Sequence, residues 1–139
     1  MNPLMKLFVR GHAFIYRASG GKRASKMNGQ DVLLLTTIGN KTGKPRTVPL
    51  MSFVDQGDRI VVASMGGAPE DPAWFRNLVA KPEVTVQQGS DEYQARASVV
   101  PAEERERLWQ RIVRDAPQFG GYEKKTTRVI PLVRLRRLQ

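Results

Sequence analysis

VLLLTTIGNKTGKPRTVPLMSFVDQGDRIVVAS, residues 32–64, decides the fold class. It opens on an apolar run, Val32-Leu33-Leu34-Leu35-Thr36-Thr37, of the length of a buried strand. Gly39 to Lys44 is a turn with two glycines. Thr47–Val54 and Arg59–Ser64 read as the next two strands, with Asp55-Gln56-Gly57-Asp58 as the hairpin between them. Three strands in succession with only turns between them argue against a parallel, doubly wound sheet. An antiparallel sheet closing into a small barrel, mainly β with helices outside it, is the expected architecture.

Downstream of this core, Asp71-Pro72 opens a short helix through Trp74, Leu78 and Val79 that Pro82 stops. Val84 and Val86 alternate with Thr85 and Gln87. Tyr93, Ala95, Ala97 and Val99 alternate with Gln94, Arg96 and Ser98, so two more strands follow. Pro101 starts a helix with acids at Glu103, Glu104 and Glu106 and bases at Arg111 and Arg114, as the helix dipole favours. Its buried face is Leu108, Trp109, Ile112 and Val113. Arg128–Leu138 reads as the last strand.

Upstream, Leu4, Leu7, Phe8, Gly11, Phe14, Ile15 and Ala18 fall on one side of a helix over residues 4–18, with Lys6, Arg10 and Arg17 on another. A basic linker runs from Gly20-Gly21 to about Gln30. The chain thus divides into an N-terminal helix and linker, 1–30, and a barrel domain, 31–139. The helix either docks on the core or lies on an anionic membrane surface.

The 139 residues, 40% hydrophobic, suffice for one core. There is no cysteine, hence no disulfide and no thiolate metal site. A single histidine, His12, argues against a histidine metal centre or a Ser-His-Asp triad. No apolar run approaches the ~20 residues that span a bilayer, and the N-terminus lacks a signal-peptide core. A cytoplasmic protein is expected. The formal charge is +10, and residues 1–30 hold six cations and no acid, against 17 cations and 13 acids in the remainder. Such a balance attracts nucleic acid, anionic lipid or a polyanionic ligand. Nucleic acid is disfavoured, because no row of aromatics alternates with the bases.

Four stretches can carry chemistry. Gly39-Asn40-Lys41-Thr42-Gly43-Lys44-Pro45-Arg46 places three cations in a glycine turn, suited to a phosphate or carboxylate unless it is merely a solvated hairpin. It is not a nucleotide-triphosphate loop: Lys44 stands where the second glycine belongs, and a strand rather than a helix follows. Ala63-Ser64-Met65-Gly66-Gly67 ends a strand on two glycines, where backbone can approach a ligand. Pro72-Ala73-Trp74-Phe75-Arg76-Asn77-Leu78 puts Trp74 and Leu78 on one helix face, most simply a core face, with Asn77 free to present its amide to a ligand ring. Phe119-Gly120-Gly121-Tyr122 has the make-up of a lid over an apolar pocket, and Tyr122 can donate a proton.

These motifs, in this order, together with Thr36-Thr37-Ile38-Gly39, Pro49-Leu50, Ala80, Pro82 and Thr127-Arg128-Val129-Ile130-Pro131, resemble the deazaflavin-dependent nitroreductase family of F420-utilising actinobacteria. The resemblance implies a split β-barrel of the FMN-binding type and the cofactor coenzyme F420, a deazaflavin with a phospholactyl-polyglutamate tail. It implies that Lys41, Thr42, Gly43, Pro45 and Arg46 hold the tail and that Pro49, Leu50 and Met51 line the path to the ring. It further implies that Ala63, Ser64, Met65 and Gly66 approach the ring, with Trp74 and Asn77 bordering it and Phe119 as an apolar wall. Tyr122 is the expected catalytic residue. The reaction implied is hydride transfer from the reduced deazaflavin to a small-molecule acceptor, a quinone or a nitro compound. Ala116 and Phe119 stand where characterised relatives have further tyrosines, which weakens the case for nitroimidazoles more than for quinones. An FMN-dependent split barrel is the nearest rival, although one phosphate needs less charge than this loop carries. A cofactor-binding protein without turnover is the other.

Overall fold

The computed structural model describes residues 26–27 and 30–138, with 26, 27 and 30 by their backbone alone. The helix expected over residues 4–18, and His12 within it, lie outside the described residues. Strands β1 (Lys26–Met27), β2 (Gln30–Ile38), β3 (Pro45–Asp55) and β4 (Asp58–Val62) come first. A single 3-10 turn, Met65–Gly67, and helix α1 (Ala73–Ala80) follow. Then come β5 (Glu83–Gln88), β6 (Asp91–Val99), α2 (Ala102–Asp115), α3 (Gln118–Lys124) and β7 (Leu132–Arg137). The strand order is β1-β2-β3-β4-β7-β6-β5, and β5 returns to pair with β2. Every pairing is antiparallel. The result is a closed six-stranded barrel with β1 added as a short hairpin arm, the architecture expected from the strand succession.

Local chemistry explains the turns. Gln56 and Gly57 both have positive φ, 53° and 83°, the two-residue turn whose twist matches a tight hairpin. Pro72 and Pro101 precede the first residues of α1 and α2 with extended backbone, and Pro82 follows α1 closely. Proline inside β3 has a different reason. Pro49 lies opposite Leu34 on β2, but it has no N–H to give. Its main-chain groups therefore face away from β2, toward a side where β4 pairs only with Ser52–Asp55. Over Pro45–Met51 that side of β3 is an open edge among the described residues, the place a strand tolerates proline.

The core has two parts, one on each face of the sheet. Inside the barrel lie Leu33, Leu35, Val61, Ala63, Val84, Val86, Ala95, Ala97, Val133 and Leu135, closed at one end by Trp74 and Leu78 of α1. Outside it, Phe53, Ile60, Val62 and Leu132 pack under Leu108, Trp109 and Ile112 of α2 and Phe119 of α3. Burial of both faces explains why β4 is a continuous Ile-Val-Val run rather than an alternation.

Two expectations are corrected. The last strand begins at Leu132, not Arg128. The segment before it is spent on other contacts: the Arg105 guanidinium donates to the Ile130 carbonyl, and the Arg128 side chain is engaged elsewhere, as described below. The Phe119–Tyr122 segment is not a lid loop but part of α3. Its glycines favour helix poorly, yet a Cβ on Gly120 would sit 3.1 Å from Val113 Cγ1. Close packing of α3 on α2 outweighs local propensity here.

The far end of the barrel carries a buried ion cluster. Asp55, at the end of β3, accepts from Arg134 at 2.8 Å and from Arg107 at 3.1 Å, with Arg111 at 3.6 Å. Arg134 also reaches Asp58 at 3.2 Å. Asp55 and Arg134 are 6% and 7% exposed. The Arg107 hydrogen bond holds the Asp55 carboxyl below the usual carboxylate range; burial opposes it, and Arg134 adds to it.

Candidate functional site

The cationic turn is built on its own backbone. Gly39 N–H donates to the Lys44 carbonyl at 2.8 Å and Gly43 N–H to the Gly39 carbonyl at 2.9 Å. Gly43 has φ 69°, and a Cβ on Gly39 would meet Thr42 Oγ1 at 2.5 Å, so both glycines are required by the turn. Lys41, Thr42, Lys44, Pro45 and Arg46 are all exposed. No carboxylate among the described residues pairs with Lys41, Lys44 or Arg46. Three exposed cations on a turn braced by its own backbone have the charge to attract a multiply charged anion.

Asn77 supports this turn from below. Its Oδ1 accepts from Asn40 N–H at 2.9 Å, and its Nδ2 donates to Thr37 Oγ1 at 3.1 Å. Both ends of the amide are thus engaged inside the protein, where Asn77 is 7% exposed, rather than left free as the sequence suggests. Trp74 is 8% exposed and belongs to the barrel core, its simpler reading. Phe119 is equally buried, edge-to-face against Phe53 at 6.0 Å. It is an apolar wall, but of the outer core.

From the turn, β3 leads along its open edge. Strand alternation divides the expected path residues. Leu50 packs toward the barrel core with Val48, whereas Met51 packs toward the outer core. Pro49, between Val48 and Leu50, shares the Met51 face. Only the strand edge is common to all three. Arg46, paired with buried Thr37, shares the inward face with Val48 and Leu50 at the barrel mouth.

The chain leaving β4 makes the glycine loop. Met65, Gly66 and Gly67 have φ of 47°, 66° and 85°, three successive residues in the left-handed region. Met65 is strained there, and a non-glycine residue persists in such a state only when its surroundings over-determine it. The surroundings include Arg128. Its guanidinium donates to the carbonyls of Ala63 at 3.1 Å, Ser64 at 2.8 Å and Ala68 at 2.9 Å, and to Asp71 Oδ1 at 2.9 Å. Nothing in the local sequence around Arg128 signals this grip, which closes over more than fifty residues of chain.

Helix α3 packs against this loop. A Cβ on Gly67 would lie 2.6 Å from the Tyr122 carbonyl oxygen, so the loop presses directly on the helix that carries Tyr122. The Tyr122 ring is half-buried, stacks edge-on against Phe119 at 5.6 Å and lies under the Lys125 ammonium at 6.0 Å. Gln118, one turn earlier on the same helix, donates to Met51 Sδ at 3.8 Å and ties α3 to β3. It was not singled out from sequence, because a half-buried glutamine at a helix start has no local signature. Ala116 is buried at the end of α2. The cationic turn leads into β3, and α3 touches both β3 at Met51 and the glycine loop at Gly67. Among the described residues no cluster of His, Cys, Asp and Glu could hold a metal ion, and no helix is long and apolar enough to cross a membrane.

Comparison with known proteins gives the family. A model of the F420H(2)-dependent quinone reductase family matches residues 8–136. An F420H(2)-dependent quinone reductase of Mycobacterium tuberculosis is 36% identical over 133 residues, 93% of this chain and 89% of its own. A solved F420-H2 dependent reductase (FDR-A) superposes with a TM-score of 0.68 at 40% identity, over 76% of this chain and 93% of its own. A structure described as a domain-swapped dimer superposes with a TM-score of 0.72 at 32% identity, over 97% and 100%. The bare cationic turn, the backbone platform of Ala63–Gly66 and the open β3 edge suit a flat ring with a polyanionic tail, and the chain belongs to the F420H(2)-dependent quinone reductase family, as an F420-dependent reductase on a split β-barrel.

Proposed function

We propose that the acceptor is a quinone, reduced beside the Tyr122 helix. When bound, reduced coenzyme F420 supplies the hydride. Lys41 and Arg46, with the backbone of Thr42, Gly43 and Pro45, hold the anionic tail. Ala63, Ser64, Met65 and Gly66 hold the ring through main-chain groups, and the β3 edge from Pro49 to Met51 runs between ring and tail. Tyr122 Oη donates a hydrogen bond, and then the proton, to a quinone oxygen. One hydride and one proton convert quinone to hydroquinone. The observation that carries this reading is the contact of the glycine loop with the Tyr122 helix, where a Cβ at Gly67 would meet the Tyr122 backbone carbonyl.

Of the three positions 116, 119 and 122, only Tyr122 both carries a hydroxyl and escapes burial in the core. A planar acceptor that needs one donor fits this better than a nitroimidazole that needs several. The test is to titrate the apoprotein with F420 and with FMN, then to follow oxidation of the reduced form by menadione and by a nitroimidazole. Tight F420 binding with menadione turnover is expected. Preference for FMN, or binding of F420 without turnover of any quinone, would refute the reading.

The sequence of residues 1–30, with six cations and no acid, extends the reading to the membrane surface where lipid-soluble quinones reside. Each base near an anionic bilayer contributes about 1 kcal/mol. Salt-sensitive co-sedimentation with anionic vesicles is expected and should vanish when residues 1–26 are deleted; no sedimentation of the intact chain at low salt would exclude it.

A further inference from the structure

We infer that Arg128 is the positioning residue of the cofactor platform: its grip on the Ala63 and Ser64 carbonyls aims the Ser64 and Met65 N–H groups at the cofactor ring. This rests on the proposal above that Ala63–Gly66 approach the ring. In a trans peptide the carbonyl of one residue and the N–H of the next point in opposite directions. The Ala63 carbonyl is drawn to Arg128 Nη1 at 3.1 Å, so the Ser64 N–H points away from the guanidinium. The Ser64 carbonyl is drawn to Nη2 at 2.8 Å, so the Met65 N–H points away as well. Neither N–H has an acceptor among the described residues.

Backbone conformation gives the same result independently. Ser64 is right-handed, with φ −82° and ψ −39°, and Met65 has φ 47°. A right-handed residue followed by a left-handed one turns consecutive N–H groups to the same side, the geometry that captures an anion or a carbonyl edge. The strain at Met65 is held from both ends. Arg128 binds Ala63, Ser64 and Ala68, Ala63 N–H binds the Pro131 carbonyl at 2.9 Å, and Gly67 abuts α3. Asp71 at 2.9 Å fixes the guanidinium plane in turn. Only a planar fork can serve four acceptors at once; a lysine ammonium has three donors and no plane.

The test uses the full chain and two probes, F420 and the tail-less deazaflavin chromophore. Dissociation constants and the visible absorption band of the bound chromophore are read for Arg128→Met, Arg128→Lys, Asp71→Asn, Ser64→Ala and Ser64→Pro. The last removes one N–H at a φ near proline's own. Arg128→Met should weaken both probes by at least about tenfold and move the bound band toward that of free chromophore. Arg128→Lys should not restore either reading, and Asp71→Asn should show the same change at smaller size. A purely structural arginine would lower the melting temperature and leave the band of the bound chromophore where it is; that result, or unchanged affinity in folded Arg128→Met, overturns the inference. If Ser64→Pro loses binding that Ser64→Ala keeps, the platform itself stands, whatever Arg128 does. If Ser64→Pro binds both probes normally, the platform reading has failed instead. Should Arg128→Met not fold, Arg128→Lys decides by the same two readings.

Discussion

Strand β3 joins two clusters of cations that have opposite fates. At its end, buried Asp55 pairs with buried Arg134 and with Arg107 and Arg111 at the rim. At its start, Lys41, Lys44 and Arg46 stand exposed with no acid among the described residues. Residue type and local density are similar, yet one set is paired with carboxylates and the other has no carboxylate partner among the described residues. A buried guanidinium must be paired, because an unpaired buried charge is costly, whereas an exposed one stays solvated until an anion arrives. The formal charge of the chain says nothing about this division.

The largest effect that would sharpen the contrast is at the buried end. Asp55→Ala leaves Arg134 buried with only Asp58 and Glu104 for company, and should cost about 3–4 kcal/mol of stability, read by denaturant unfolding. Cofactor affinity of the folded fraction should not change. A neutral result for stability would mean that the cluster is not a unit.

The same carboxyl sets a pH dependence. Its pKa is lowered in the folded protein. The stability it confers is therefore complete above the unfolded value, about 3.9, and is lost as pH falls through the folded one. The stability difference between the native chain and Asp55→Asn should be constant above about pH 4 and shrink as pH falls below it. A difference that does not shrink in acid would break the assignment.

At the exposed end the order of effects reverses. Arg46→Ala should weaken F420 binding by about 1.5–3 kcal/mol, the range of a hydrogen bond to a charged group. Its stability should stay within about 0.5 kcal/mol of the parent. Binding of the tail-less chromophore should not change, which separates a tail contact from a ring contact. Lys44→Ala should cost less than Arg46→Ala, because an ammonium cannot grip an anion with two parallel bonds. Equal loss of tail-bearing and tail-less forms would remove the turn from the tail site.

The smallest expected effect is at Tyr122. Tyr122→Phe keeps the ring against Phe119 and removes only the hydroxyl. Menadione turnover should fall by about tenfold or more while F420 affinity is held. A parallel loss of both would make Tyr122 a packing residue of the platform rather than a proton donor.

The chain's own local order determined most of the architecture. Alternation and turn glycines marked β2 through β6 within a few residues, and Gly39–Arg46 and Ala63–Gly67 stood out as loops of unusual composition. These features are legible because they arise from short-range sterics: period-two burial, glycine at positive φ, proline at helix starts and open strand edges. What barrel closure decided lies at long separation. Asn77 turned inward only because α1 packs beneath Thr37 and Asn40, some forty residues away. Phe119 and Trp74 entered two different cores because the sheet buries both its faces. Arg128 and Asp55 acquired their partners across fifty to eighty residues of chain. A side chain's partner at that distance is set by which strands meet, and no local pattern encodes it. The sequence alone therefore showed where cations and glycines lie, and the closed barrel decided which of them are paired and which remain open to a ligand.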